Sequence, residues 1–187
     1  MTAEGATPLQ QFKVTIEGTT PPIWRRLLVP AESTLGQLHR IIQVAFDWEG
    51  YHLHQFTIGD VSYTDPTMMG DLGNLDEEEV TLGEVAPPIG LRFVYEYDFG
   101  DSWRHIILVE QPETAARSRP YTVCTDGQYA GPPEDCGGVP GYEVLCDAIA
   151  DPAHPQHEHW REWLGDDFDP AAFDREAINA RLRELAL

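Results

Sequence analysis

The residues best suited to chemistry flank a predicted two-residue hairpin turn at positions 100–101. In that register Glu96 lies opposite His105, and the Cβ atoms of such cross-strand neighbours are about 5 Å apart. A carboxylate at that distance could raise the pKa of the imidazole, orient its tautomer or share a metal ion with it. The same register places Asp98 opposite Trp103. The alternative is a solvated polar face with an ordinary Glu–His contact.

A candidate ligand pocket combines this hairpin with a Pro- and Gly-rich loop that contains Pro132 and Pro133. Aromatic and acidic residues carried by loops are typical of binding surfaces, and neither segment offers an activated nucleophile. The prediction fails if Trp103, His105 and Asp135 lie on unconnected surfaces. The predicted pocket residues are Glu96, Asp98, Asp101, Trp103, His105, Glu134 and Asp135.

Histidines and cysteines suggest a second kind of site, one that binds a metal. His52 and His54 are two positions apart on a predicted strand, so both imidazoles lie on one face and could reach one ligand. Apolar residues continue that face, which favours hydrogen-bonded core histidines instead. Two thiolates and two histidines can bind zinc tetrahedrally, although the spacing of a zinc ribbon is absent. The candidate metal ligands are His52, His54, His105, Cys124 and Cys136.

Charge and composition limit the classes of function. The 187-residue chain has 12 Lys+Arg against 32 Asp+Glu, a formal net charge of -20. A surface that acidic repels phosphate backbones, so direct nucleic-acid binding is not expected. No apolar run approaches the roughly 20 residues of a membrane-spanning helix, and no secretory signal is recognised. Three cysteines without CxxC spacing fit a reducing compartment, and we expect a cytoplasmic protein.

The elements that must position these residues are predicted from periodicity. Thr34 and Gln37 resemble a capping box, and an apolar stripe at helical spacing follows them. Three short helices are predicted after residue 140, the last one capped by Asp169 with Pro170 in its first turn. Residues 66–79 are predicted to form a surface loop. Alternating apolar residues predict strands near 12–16, 23–29, 53–58, 91–99 and 103–109.

Two strands, a helix and then further strands predict an α+β fold. We expect a mixed, β-grasp-like sheet with one main packed helix, followed by a Pro/Gly-rich loop and short C-terminal helices. The expected boundaries are a disordered tail at 1–9 and a single domain at 10–187. Within the domain we expect a sheet-plus-helix core at 10–110, a loop at 111–140 and a helical part at 141–187.

Several sequence segments occur in an order that resembles a known family. They are QFKVT (11–15), PIWRR (22–26), HLHQF (52–56), YDFGDSWRH (97–105), PPEDCGG (132–138) with GY (141–142), and FDP (168–170) with Phe173. Together they resemble the plasmid pRiA4b ORF-3-like family, whose members are also labelled TnpR-like transposon passenger proteins. The resemblance extends over residues 10–183, nearly the whole chain.

The resemblance implies an α+β fold with a β-grasp-like core, but no established biochemical activity. The family names record a location on plasmids and mobile elements. The TnpR label suggests a resolvase, yet a serine recombinase needs a nucleophilic serine among arginines and a DNA-binding tail, and the sequence suggests neither. Family members often carry a cysteine just before the Pro-Pro-Glu-Asp run, where this chain has Gly131. A cysteine-based metal site would therefore lack one ligand.

Two functions from different classes fit these features. The leading hypothesis is a non-enzymatic accessory module that binds a small ligand or a protein partner at the hairpin and the Pro-Pro loop. The alternative is a metal-dependent, hydrolytic enzyme in which the histidines, Asp98, Asp101 and Cys136 hold zinc or another divalent metal. Nucleic-acid binding is a third hypothesis, and the net charge argues against it.

Overall fold

Eight strands among the described residues form one sheet. The computed structural model describes residues 8–70, 73–86, 88–111, 121–165 and 167–185. The strands are β1 (Leu9–Ile16), β2 (Trp24–Pro30), β3 (His54–Ile58), β4 (Val61–Thr64), β5 (Leu75–Asp76), β6 (Arg92–Tyr97), β7 (Trp103–Glu110) and β8 (Val123–Gln128). Their order is β5-β4-β3-β6-β7-β1-β2-β8, and neighbours are antiparallel except for β4 and β5.

Six helices lie in the same described ranges. They are α1 (Leu35–Phe46), α2 (Pro66–Met69), α3 (Leu82–Val85), α4 (Gly138–Ala150), α5 (His157–Leu164) and α6 (Arg175–Glu184). The predicted capping box of α1 is confirmed, because Thr34 and Gln37 each donate a backbone N–H to the other's side chain at 3.0 Å. No helix in these ranges is long and apolar enough to cross a membrane.

The core lies between α1 and one face of the sheet. The apolar stripe of α1, including Leu38 and Ile41, is fully buried. Alternate residues of the central strands, such as Phe12 and Val14, are buried in the same cluster, and Leu145 of α4 extends it. Helical and strand periodicities therefore identified the buried faces. The predicted α+β class, with a mixed sheet and one main packed helix, is confirmed.

Three loop and tail predictions differ from the structure. Leu9, assigned to the tail, begins β1 and pairs with Pro30, whereas residues 1–7 lie outside the described ranges. The predicted loop at 111–140 contains the edge strand β8, whose sequence VCTDGQ lacks a clear apolar alternation. Residues 112–120 of that loop are not among those described. The predicted surface loop at 66–79 contains α2 and β5.

The last helix begins five residues later than predicted. Asp174, not Asp169, caps α6 by accepting from Ala177 N at 2.9 Å. The Asp169 carboxylate instead accepts from Ala171 N at 2.9 Å, two residues further along the chain. An aspartate can satisfy a backbone donor in a turn or at a helix start, so its presence before Pro170 did not distinguish the two.

The β6–β7 hairpin has a longer turn than predicted. Tyr97 pairs with Trp103, so residues 98–102 form the connection. Both Asp98 and Ser102 adopt left-handed backbone angles, with φ values of 56° and 53°. This conformation is uncommon for residues other than glycine, and it was not foreseen from the sequence. The predicted pairing of Asp98 with Trp103 is therefore wrong.

The longer turn shifts the register of the hairpin by one residue. Tyr95 lies opposite His105, and Glu96 lies opposite Arg104. Because side chains alternate along a strand, a shift of one residue moves a side chain to the other face. His105 is therefore fully buried in the core, and the predicted contact between Glu96 and His105 is wrong.

Candidate metal centre

The turn between β6 and β7 is held together by Asp98. Its Oδ1 accepts from Gly100 N at 2.9 Å, and its own backbone N donates to Leu53 O at 2.9 Å. The Asp98 side chain is only 11% exposed. These bonds fix a largely buried carboxylate beside the segment that leads into β3, and that segment carries His52.

The Pro- and Gly-rich loop before α4 is tied to the same end of the sheet. The indole Nε1 of Trp48 donates to the carbonyl of Pro132 at 2.7 Å. Gly137 N donates to Asp101 Oδ2, in the β6–β7 turn, at 2.9 Å. The predicted association of the hairpin with this loop is therefore seen in the structure, and the loop brings its carboxylates to the hairpin.

Gly131 explains how closely this loop lies against α1. A Cβ atom at this position would be 1.9 Å from the carbonyl oxygen of Phe46, the last residue of the helix. Backbone atoms cannot give way as the end of a side chain can, so any other residue would displace the loop. A cysteine at this position is incompatible with the observed loop path.

His52, Asp98 and Asp135 converge where the hairpin meets the loop. His52 Nε2 lies 3.1 Å from Asp135 Oδ1 and 3.6 Å from Asp98 Oδ2. One ligand atom from each residue lies within 4.8 Å of the other two, a spacing that can hold a metal ion. His52 Nε2 is buried, and within the described ranges it has no hydrogen-bond partner, so the 3.1 Å contact lacks hydrogen-bond geometry.

Two tyrosines and Glu134 surround this cluster. Tyr51 donates its hydroxyl to Asp135 Oδ2 at 2.8 Å, and this bond is the main cause that raises the pKa of Tyr51 to about 12. Tyr97 donates to Glu134 Oε1 at 2.5 Å; burial, then this bond, raises the pKa of Tyr97. The other oxygen of Glu134 accepts from Glu49 N at 2.9 Å. Both tyrosines thus act as neutral donors that orient the loop carboxylates.

Trp103 and His105, which were predicted to line the pocket, are fully buried core residues. His105 Nδ1 lies 3.0 Å from the Trp103 carbonyl, and the aromatic rings of Phe46 and Trp48 pack beside the imidazole. Burial lowers the pKa of His105 to about 4, the opposite of the increase expected from a neighbouring carboxylate. Of the residues predicted to line one pocket, Asp98, Asp101, Glu134 and Asp135 therefore lie where the hairpin meets the loop, whereas Trp103 and His105 lie in the core.

Glu96 is also separate from the cluster. Its carboxylate accepts from the hydroxyl of Ser102 at 2.8 Å, on the sheet face opposite the core.

The two histidines that were predicted to share a ligand, His52 and His54, have different partners. His54 is buried, and its Nε2 lies 2.9 Å from Glu77 Oε2. His52 faces the aspartates instead, so the structure does not bring His52 and His54 to a common ligand.

The cysteines do not join the cluster either. All three are free thiols, and the Cys124 Sγ contacts the carbonyl of Asp126. Burial raises the pKa of Cys124 to about 11 and that of Cys136 to about 12. Cys136 interacts with Cys146 rather than with Cys124. Among the described residues, neither thiol belongs to a group of His, Cys, Asp and Glu donors close enough together to hold a metal ion.

Sequence reasoning missed two functional neighbours. Tyr51 lies next to His52 in the chain, and its exposed ring gave no periodic signal. Glu77 falls in an acidic stretch that was predicted to be a solvated loop, yet it is 3% exposed and pairs with His54. The available signal for Tyr51 was its position beside a histidine in a loop. A carboxylate within a charged run carries no comparable sign of burial.

These features describe an α+β protein in which a histidine and two aspartates meet at the end of a mixed sheet. The chain belongs to the plasmid pRiA4b ORF-3-like protein family, whose profile matches residues 9–177. That family was expected from the resemblance of the sequence, and it is confirmed.

Two relatives match this chain over most of its length. It is similar to the uncharacterized protein y4hQ of Sinorhizobium fredii (strain NBRC 101917 / NGR234), with 36% identity over 179 residues, 94% of this chain and 91% of that protein. It is also similar to the crystal structure of the protein of unknown function MM3350 from Methanosarcina mazei Go1. That likeness has a TM-score of 0.80 and 36% identity, and covers 90% of this chain and 95% of the other.

Proposed function

We propose that this protein is a non-enzymatic binding module whose ligand is a divalent transition-metal cation, held by His52, Asp98 and Asp135. The observation that carries the proposal is the buried His52 Nε2, which faces two carboxylate oxygens at 3.1 and 3.6 Å without hydrogen-bonding to a described residue. Ligand bonds of about 2.1 Å that meet at octahedral to tetrahedral angles separate donor atoms by about 3.0 to 3.4 Å. The 3.1 Å separation from Asp135 lies in this range, and the 3.6 Å separation from Asp98 is slightly wider, so a small approach of Asp98 would let the donors share one ion.

Electrostatics also favour a cation at this position. Asp98 is 11% exposed, and two further carboxylates, those of Asp135 and Glu134, lie in the same cluster. Carboxylates crowded into a partly buried site repel each other unless a positive charge lies between them. The chain as a whole has a formal charge of -20, so long-range attraction draws cations rather than anions to the protein.

The donor set indicates which cations would bind. One imidazole nitrogen and two carboxylate oxygens suit Zn²⁺ or Mn²⁺, whereas Ca²⁺ takes six to eight oxygen ligands. Three protein donors leave one or more coordination positions for water or another ligand. The Asp135 side chain is 56% exposed, so those positions would open towards solvent.

A binding role is preferred to the hydrolytic alternative because, among the described residues, only His52 and Asp98 of the ligands predicted for that alternative belong to the cluster. His54 pairs with Glu77, His105 is fully buried, and Cys136 is a buried thiol with a raised pKa. None of these three offers a donor to the cluster. The family name supports an accessory role for this module on plasmids or related elements.

The proposal is tested by metal titration of the full-length protein, purified without an affinity tag and stripped with a chelator. We expect calorimetry to detect one Zn²⁺ or Mn²⁺ per chain. We also expect His52→Ala and Asp98→Asn to weaken binding at least 100-fold. Asn retains the side-chain oxygen that accepts from Gly100 N, so the turn is preserved in the Asp98 variant. Circular dichroism would confirm that both variants fold.

Two exposed residues provide matched controls. His159→Ala and Asp60→Asn make the same types of change at residues outside the cluster, on α5 and in the β3–β4 turn. Both variants should bind the metal as the unmodified protein does. The proposal is wrong if the stripped protein binds neither metal, or if the cluster variants and the control variants bind it equally well.

A further inference from the structure

We infer that the cation in this site binds a histidine side chain of a protein partner, flanked in that partner by apolar residues. This inference rests on the proposed function, because the histidine would fill a coordination position left open by His52, Asp98 and Asp135. It goes further by naming the class of ligand that occupies this position and the surface that selects it.

The apolar surface around the cluster supports a partner rather than water alone. Three large side chains next to the metal donors are exposed: Tyr51 by 54%, Leu53 by 38% and Phe99 by 42%. Tyr51 and Leu53 are the chain neighbours of His52, and Phe99 follows Asp98. Of these three, Tyr51 contacts the cluster, with its ring centroid 4.4 Å from that of His52. Exposed large apolar side chains on the segments that carry a site mark a contact surface, whereas single scattered ones do not.

The charge of the surrounding residues determines which donor is accepted. The three carboxylates of Asp98, Glu134 and Asp135 outweigh a single divalent cation. An incoming carboxylate or phosphate would therefore be repelled, while an uncharged donor would not. Neutral imidazole is the uncharged nitrogen donor that proteins use most often for such metals. A histidine between apolar residues matches both the open position and its apolar surroundings.

The backbone around the donors is already ordered to receive such a partner. Asp98 is fixed by Gly100 N and Leu53 O, and Asp135 is fixed by the hydroxyl of Tyr51. Sites whose donors are held in place lose little conformational entropy on binding. The partner would therefore add one donor and an apolar contact to a site in which both aspartates are already held in place.

Cobalt substitution of the full-length protein tests this inference, because the visible absorption of Co²⁺ changes with its ligands. Imidazole and the peptide acetyl-Phe-His-Leu amide would be titrated at pH 8, where both donors are uncharged. We expect both to shift the Co²⁺ spectrum, with the peptide binding at least 10-fold more tightly. Phe99→Ser and Leu53→Ser should remove that 10-fold advantage without changing the affinity for Co²⁺ or for imidazole.

Val61→Ser is the matched control, since Val61 is 39% exposed on β4 and its loss should have no effect. If Co²⁺ does not bind, the proposed function itself fails. If Co²⁺ binds but neither imidazole nor the peptide changes its spectrum, only the present inference fails. Equal affinities for imidazole and peptide, or peptide binding to the metal-free protein, would also overturn it.

Discussion

Acidification should destabilise this protein between pH 7 and pH 5, because buried His105 and half-buried His39 are held neutral in the fold. Burial lowers the pKa of His105 to about 4. Burial, with the charges of His54 and Arg40, lowers the pKa of His39 to about 2. The reference pKa of both is 6.5. The unfolded chain therefore takes up protons first as the pH falls, so stability is present above pH 6.5 and is lost below it.

The magnitude follows from proton linkage. A group with a pKa of 6.5 when unfolded and about 4 when folded loses about 1.8 kcal/mol of stability between pH 7 and pH 5. His39 should contribute a similar amount over the same interval. Together they account for about 3.6 kcal/mol, a large part of the 5–15 kcal/mol typical of a folded domain. Carboxylates contribute little in this window, because they titrate mainly below pH 5.

Urea unfolding at pH 7, 6 and 5, followed by the fluorescence of the five tryptophans, measures this loss. His105→Gln should remove about half of the pH dependence, or about 1.8 kcal/mol, and glutamine can still donate to the Trp103 carbonyl. His159→Gln, a change at an exposed residue, should leave the pH dependence as it is. If His105→Gln and the unmodified protein lose the same free energy between pH 7 and pH 5, the assignment to His105 is refuted.

Three further changes test the packing of the site. Glu77→Gln removes the charge that pairs with buried His54, and chemical denaturation should show a loss of about 3 kcal/mol. Gly131→Ala places a Cβ atom 1.9 Å from the last carbonyl oxygen of α1. The melting temperature should therefore fall by an amount equivalent to about 2 kcal/mol or more. An unchanged melting temperature would contradict the close approach of the loop to α1. Trp48→Phe deletes the indole donor to the loop, so stability should fall by about 1 kcal/mol and the loop amides should exchange faster with deuterium.

Local signals in the sequence predicted local structure well. The capping box at Thr34 and Gln37 needs only a spacing of three residues, and it was recognised directly. The strand and helix periodicities identified which residues are buried, because each depends on neighbours within one element. The order of these elements, two strands, a helix and further strands, was then sufficient for the fold class.

The candidate site could be predicted only in part, because it depends on long-range contacts and on one turn. His52 and Asp135 are 83 positions apart, and nothing in either segment specifies that they meet. The hairpin register depended on whether Asp98 could adopt a left-handed conformation, which propensity does not favour. The longer turn, in which Asp98 and Ser102 are both left-handed, shifted the register by one residue, and His105 lies in the core rather than in the expected surface pocket. The sequence likewise did not indicate that His54 and Glu77, which are separated by 23 positions, contact each other.

The position of β1 in the sheet has a consequence for synthesis of the chain. β1 lies between β2 and β7, and Gln11 pairs with Glu110. At 5 to 20 residues per second, a ribosome needs roughly 5 to 20 s to make the residues from the end of β1 to the end of β7. During that interval the nascent β1–β2 hairpin has an unpaired edge, which can associate with other chains. Chaperone dependence during translation should therefore decrease once β7 has covered that edge, and end once β8 has covered the other edge of the hairpin, on β2.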